Sequence, residues 1–289
     1  MLSTVGIQTQ RSELKYIIPE HLTNRIRDFI APYLVLDSFG AQQADRSYPV
    51  HSLYLDSDDL ALHQSTINGD RNRYKLRIRF YENRPGAPVY LEIKRRENGA
   101  IYKERCALEK SAVADLAAHR LPLRSDLVKP TPSDERSLQN FCRLMNKLQA
   151  RPVAHVAYRR EAWSSEGSNR FRITFDRQVT TCPEATYNFS PRQDSPVPVF
   201  GKMVVLELKF TGRFPSWMGD LVRGFGLRQC SAAKYVDGIV QMEDEGILGE
   251  ALKPHFAPVA KTKETRLRAQ LRWKTPNWGL SGTGSKVSA

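Results

Sequence analysis

Glu-x-Lys occurs three times in this chain, as Glu13/Lys15, Glu92/Lys94 and Glu207/Lys209. Arginines repeat at the same spacing, as Arg77/Arg79 in "RYKLRIRFY" (73–81) and Arg170/Arg172 in "RFRITFD". Side chains two apart share one face of a β-strand. Arg73, Lys75, Arg77 and Arg79 therefore form a row of cations about 7 Å apart, given a rise of ~3.3 Å per residue. A row of like charges repels itself and suits a polyanion. Arginine pairs with phosphate through two parallel N–H bonds, and lysine adds a point charge. The chemistry this points to is phosphate binding and phosphoryl transfer, which needs positioning and charge stabilisation more than covalent help.

These residues must be held by strands, and strand patterns dominate. "SELKYII" (12–18) is followed by an amphipathic helix pattern over 19–34, with Pro19 expected in its first turn. "SYPVHSLYLD" (47–56) reads as a strand. A short helix is expected over 57–69, with Ser57 as N-cap and Gly69 just past its end. "RYKLRIRFY", "VYLEIKRR" (89–96) and "IYKERCALE" (101–109), joined by short turns, predict an antiparallel meander. Helices are expected at 111–120 and 134–149, the second capped by Ser133. Strands at 152–163, 170–179 and 202–210 and helices at 215–226 and 232–243 complete the pattern. At least six strands show one mainly apolar face and one face of Arg, Lys and Glu. Outer faces of sandwiches are polar as a rule, but arginine outnumbers small polar residues here, and the helical segments need an apolar surface to cover. The expected fold is mostly β (α+β): an antiparallel eight-stranded barrel around a charged lumen, with helices packed outside.

The chain has 289 residues and a net charge of +13. That charge implies a polyanionic partner without saying which. Cys106, Cys142, Cys182 and Cys230 are widely spaced and the six histidines show no metal-ligand spacing, so reduced thiols in a cytoplasmic setting are expected. No run is long and apolar enough to span a membrane. The organisation expected is one domain over 1–249 and a basic, disordered tail over 250–289. Trp273 and Trp278 could anchor that tail to a membrane surface or a protein. Nucleic acid is not the expected partner, since neither an exposed aromatic platform of RRM type nor a zinc-finger spacing is present.

The ordered series "SELKY", "YKLRIRFY", "YLEIKRR", "YKERC", "AYRREAW", "RFRITFD", "LELKF" and "AAKYVDG" resembles the polyphosphate polymerase (VTC) domain of the triphosphate tunnel metalloenzyme, or CYTH, superfamily, over roughly residues 10–243. The resemblance implies that Lys15 touches phosphate and that Arg77 and Arg79 grip the triphosphate. It implies that Lys94 and Lys103 continue the cationic lining, that Arg160 and Arg172 bind phosphate, and that Lys209 and Lys234 are late lysines of the lumen. It gives Glu207 the role of divalent-metal ligand, with Glu13 and Glu92 behind it and equally readable as ion-pair partners. Mn²⁺ or Mg²⁺ is the implied cofactor, because hard cations bridging phosphates take oxygen ligands. Two departures stand out. Superfamily members often carry Glu two residues before the first-strand Glu, where this chain has Arg11. The fungal relatives add a phosphate-sensing domain and membrane helices, neither of which is read here, so any regulation and export are expected to come from elsewhere or to be absent. The implied reaction is transfer of the ATP γ-phosphoryl group to a growing inorganic polyphosphate chain. A triphosphatase of the same fold, or a non-catalytic polyphosphate- or RNA-binding module, are the alternatives.

Overall fold

The alternating patterns do become strands, and they join one sheet. The structure, a computed structural model, describes residues 11–251 except 99 and 169. In chain order, β1 (Arg11–Pro19), α1 (Leu22–Ile30), β2 (Val35–Leu36), α2 (Ser38–Ala41), β3 (Tyr48–Asp56) and α3 (Ala61–Ile67) lead into the meander. The meander is β4 (Arg73–Phe80), β5 (Val89–Glu97) and β6 (Ala100–Leu108). After α4 (Val113–Ala117) and α5 (Pro132–Leu148) come the long β7 (Arg151–Ser164) and β8 (Phe171–Pro183), then β9 (Val197–Pro198) and β10 (Met203–Thr211). The described chain ends with α6 (Ser216–Gly224), α7 (Lys234–Asp244) and α8 (Ile247–Ala251). Past residue 251 the expected tail, with Trp273 and Trp278, lies outside the described residues.

The strand order is β1-β10-β8-β7-β3-β4-β5-β6, with antiparallel neighbours throughout, β2 beside β7 and β9 beside β8. The closed eight-stranded barrel expected from the sequence is corrected here. Among the described residues β1 and β6 are the two ends of the path and share no ladder. Alternation reports which residues share a face, whereas closure depends on strand tilt and stagger. The sheet is nevertheless curled, because side chains from all eight long strands line one cavity. Across the seam the Lys94 ammonium of β5 donates to the Glu13 carboxylate of β1 at 2.9 and 3.1 Å.

The opposite face of the sheet carries the apolar residues. Leu76, Ile78 and Phe80 of β4 and Leu91 and Ile93 of β5 are buried with Leu138, Phe141 and Met145 of α5. Leu206 and Leu208 of β10 are buried with Ile26 and Ile30 of α1 and Met218 and Leu221 of α6. Each such side chain contributes ~1.5–3 kcal/mol when fully buried, so the strands hold their cations inward by burying alternate residues beneath helices. Some boundaries differ from expectation. Pro19 ends β1 instead of opening α1. The helix after β3 begins only at Ala61, and Ser57 Oγ accepts from the Ala61 N–H at 3.0 Å without being the helix N-cap residue. Thr131, not Ser133, caps α5, where its side chain and that of Asp134 satisfy each other's backbone N–H groups.

Candidate functional site

The lumen is assembled by register. β1 and β10 set Glu13 opposite Lys209 and Lys15 opposite Glu207, so two Glu-x-Lys pairs interleave as alternating charges. β10 and β8 add Arg172 opposite Lys209 and Thr174 opposite Glu207. On the other side of the curl, Glu92 of β5 lies between Arg77 of β4 and Arg105 of β6. One step along, Lys75, Lys94 and Lys103 stand opposite one another across the same three strands. Like charges in that arrangement destabilise an empty sheet.

The cavity holds about 920 Å³. Twelve of the side chains lining it are lysine or arginine, and two, Glu13 and Glu207, are glutamate. All nine expected phosphate-binding residues, Lys15, Arg77, Arg79, Lys94, Lys103, Arg160, Arg172, Lys209 and Lys234, line it, as do Glu207 and Glu13. Lys234 arrives on the first residue of α7, not on a strand. Glu92 is placed differently. It is buried behind the wall, with Arg77 at 2.5 Å, Lys103 at 2.8 Å and Arg105 at 3.4 Å, and the ion-pair reading is the one its surroundings support.

Glu207 is the hub of the opposite wall. Lys209 lies 2.5 Å from its carboxylate, Lys234 3.0 Å, Arg160 3.4 Å and Lys15 3.7 Å, and Thr174 Oγ1 donates to it at 3.2 Å. Burial works against its charge, but these cations outweigh burial and hold the carboxyl well below the usual range. The same balance, against Lys94 and Lys15, holds Glu13 down. Both are therefore ionised oxygen donors at neutral pH.

Sequence reasoning missed three supporting features. Asp176, fully buried, takes Arg160 at 2.7 Å and Lys234 at 2.7 Å and so aims both cations. Tyr54 Oη accepts from Arg77 at 3.0 Å and Tyr158 Oη accepts from Arg79 at 3.0 Å, which fixes the two arginines of the expected grip. Asp37 holds Arg172 at 2.9 Å. The sequence puts Asp176 on one strand face with Arg172 and Thr174 but gives no sign of its partners, which come from β7 and α7. The tyrosines needed strand alternation to be followed through β3 and β7, and Asp37, in the loop before α2, left no pattern. The arrangement can bind a chain of phosphates along a wall of fixed donors, with enough carboxylate behind it to keep the empty protein folded.

The VTC domain family model matches residues 10–243. Among solved structures, one from Bacillus halodurans, provisionally named an adenylate cyclase, is similar at 14% identity. The match covers 78% of this chain and 94% of that one, with a TM-score of 0.45, a likeness too loose to argue from. Among the described residues, no helix is long and apolar enough to cross a membrane.

Proposed function

The chain belongs to the VTC domain family, and from that premise we propose that it is a polyphosphate-polymerase-like phosphotransferase. It takes the triphosphate of ATP into the lumen and passes the γ-phosphoryl group to phosphate or to the end of a growing inorganic polyphosphate chain. The observation that carries this reading is the cavity itself: twelve cations and two carboxylates converge on one space of about 920 Å³. Arg77 and Arg79, already oriented by Tyr54 and Tyr158, grip the triphosphate. Arg160 and Lys234, oriented by Asp176, sit on the facing wall. In the transfer, an oxygen of the acceptor phosphate forms a bond to the γ-phosphorus while the bond from that phosphorus to the β–γ bridging oxygen breaks, and ADP leaves. The fixed cations meet the charge that spreads onto the equatorial and leaving oxygens and need no reorganisation to do so.

A divalent metal, Mn²⁺ or Mg²⁺, belongs to the proposal. Such ions are held by one or two carboxylates plus substrate phosphates, and Glu207 and Glu13 are two ionised carboxylates linked through Lys15, at 3.7 and 3.3 Å. Among the described residues no group of three or more His, Cys, Asp or Glu could form a complete cage, so phosphate oxygens would complete the shell. Held by Glu207 and Glu13, the metal would supply positive charge that neutralises the phosphates. The domain proposed to carry the activity is 1–249, with the remaining basic segment dispensable for turnover.

Incubation with ATP and Mn²⁺, followed by gel separation of products, tests the function. A ladder of long phosphate chains is expected. Free phosphate alone would make the chain a triphosphatase, and intact ATP would make it a binding module.

A further inference from the structure

A second cavity, of about 630 Å³, adjoins the first at the end of the curl where the edge strands β1 and β6 meet. Its lining carries six cations and a single carboxylate, Glu13. Lys15, Lys75, Lys94 and Glu13 line both cavities and form their shared wall. Within that wall Lys15 and Lys94 are engaged by Glu13, at 3.3 and 2.9 Å. Lys75 is not: it makes no hydrogen bond or ion pair among the described residues, and its register partner is Lys94. One step further out Arg73 stands opposite Arg96, again like charge facing like charge, and both line the smaller cavity. Neither forms an ion pair with a carboxylate among the described residues; Arg73 donates to the Asp70 carbonyl.

This is a different arrangement from the main cavity, where the cations of the grip are balanced by Glu92, Glu207, Asp176 and Asp37. Carboxylates there keep the lumen foldable when empty. At the smaller cavity Lys15 and Lys94 share Glu13 and Arg95 pairs with Glu97 and Glu104, but Lys75, Arg73 and Arg96 form no carboxylate ion pair among the described residues, so an anionic ligand would supply their counter-charge. A triphosphate held by Arg77 and Arg79 does not need this space. A longer phosphate chain does, because it must continue past the grip.

We propose that the smaller cavity is a second anion subsite, which holds the acceptor end of a linear phosphate chain, with Lys75 as the positioning residue between it and the triphosphate grip. The inference rests on the phosphotransferase reading above and adds to it the residues that choose a chain over a single phosphate. Lys75 touches the chain near its reacting end, and Arg73 and Arg96 hold the phosphates beyond. Burial, together with Lys15 and Lys94 nearby, pushes the Lys75 amine down to about 7, which is the behaviour of a group whose counter-charge arrives with the ligand.

The test compares two probes by titration calorimetry at neutral pH: sodium tripolyphosphate, and a linear polyphosphate long enough to cross both cavities. The wild type should bind the long chain about tenfold or more tightly than tripolyphosphate, the effect of one further charge-assisted contact. The double variant Arg73→Met/Arg96→Met should remove most of that advantage while tripolyphosphate affinity moves by no more than about twofold, and Lys75→Met, at the shared wall, should weaken the long chain more than tripolyphosphate. In turnover, Arg73→Met/Arg96→Met should raise the KM for an added chain acceptor and leave the KM for ATP nearly in place. Wild type that fails to bind tripolyphosphate sinks both this inference and the function proposed above. Wild type that binds tripolyphosphate but gains nothing from chain length sinks the subsite alone. Variants that weaken both probes equally, or neither, also overturn it.

Discussion

Glu92 shows how a single carboxylate makes a cationic wall possible. It is 1% exposed and lies among Arg77, Arg79, Lys103 and Arg105. Burial disfavours its charge, but Arg77, Arg79 and Lys103 outweigh burial and keep it ionised. Glu92→Gln keeps the shape and removes the charge, so the cations are left facing one another. Breaking a buried pair in this way costs ~3–5 kcal/mol, and chemical denaturation should show a loss of that order, partly restored by tripolyphosphate. A change within ~0.5 kcal/mol would mean that the cations shed their charge instead. Lys75 leads to the opposite pH behaviour from a salt-bridged lysine. Its ammonium faces Lys15 from β1, Lys94 from β5, Arg73 on its own strand and His63 from α3, with Asp237 of α7 as the attractive neighbour. Its folded value near 7 lies below the ordinary 10.5. Between those limits the unfolded chain holds a proton that the native chain does not, so this residue makes stability rise with pH across that window. The stability difference between wild type and Lys75→Met should therefore change from pH 7 to pH 9 in favour of the wild type. Parallel pH curves for the two proteins would contradict it.

Elements decide which of these residues meet. The Glu-x-Lys pair of β1 could face that of β10 in or out of register. A one-residue slip would turn every lumen cation into the apolar layer, so burial of Leu206 and Leu208 beneath α1 and α6 fixes the pairing. This much was legible, because period-two alternation survives in the sequence of at least six strands, β1 and β10 among them. Barrel closure was not legible, since the relation of β1 to β6 depends on stagger accumulated over eight strands. Nor was the role of Asp176: its two partners, Arg160 and Lys234, come from a neighbouring strand and a distant helix. The helix α7 illustrates the point. Its Lys234 enters the lumen beside an anchored neighbour: Tyr235 Oη donates to Asp56 at 2.7 Å. Asp56 also accepts from the Leu62 and His63 N–H groups at 2.8 and 2.9 Å, and so ties α3 and α7 to the end of β3. Tyr235→Phe removes a buried bond to a charged acceptor, worth ~1.5–3 kcal/mol. Melting should shift down accordingly, and turnover should fall less than in Lys234→Ala, which removes the cation itself. Equal turnover losses in the two variants would show that α7 positions more of the site than Lys234.

At the scale of the whole molecule, twelve cations and two carboxylates line one cavity. The empty protein carries the repulsion of Lys94 and Lys103 across two strands and of Arg77 and Arg79 along one. A ligand that neutralises these groups binds the native state alone, because the unfolded chain has no lumen. Such a ligand adds RT ln(1 + [L]/Kd) to stability, ~2.7 kcal/mol at a hundredfold excess over Kd. Tripolyphosphate should therefore raise the melting temperature strongly. Monophosphate, which meets only part of the wall at a time, should raise it weakly. Arg77→Ala and Arg79→Ala should each shrink the tripolyphosphate shift and cut turnover by orders of magnitude, since each removes a charge-assisted contact that strengthens in the transition state. A solvated outer face makes the contrary forecast: loss of one arginine would change stability by no more than ~0.5 kcal/mol and leave the ligand response intact. Melting curves of wild type and both variants, with tripolyphosphate, with monophosphate and without either, separate the two. Equal shifts from tripolyphosphate and monophosphate at the same concentration would show that the length of the lumen does not set the response.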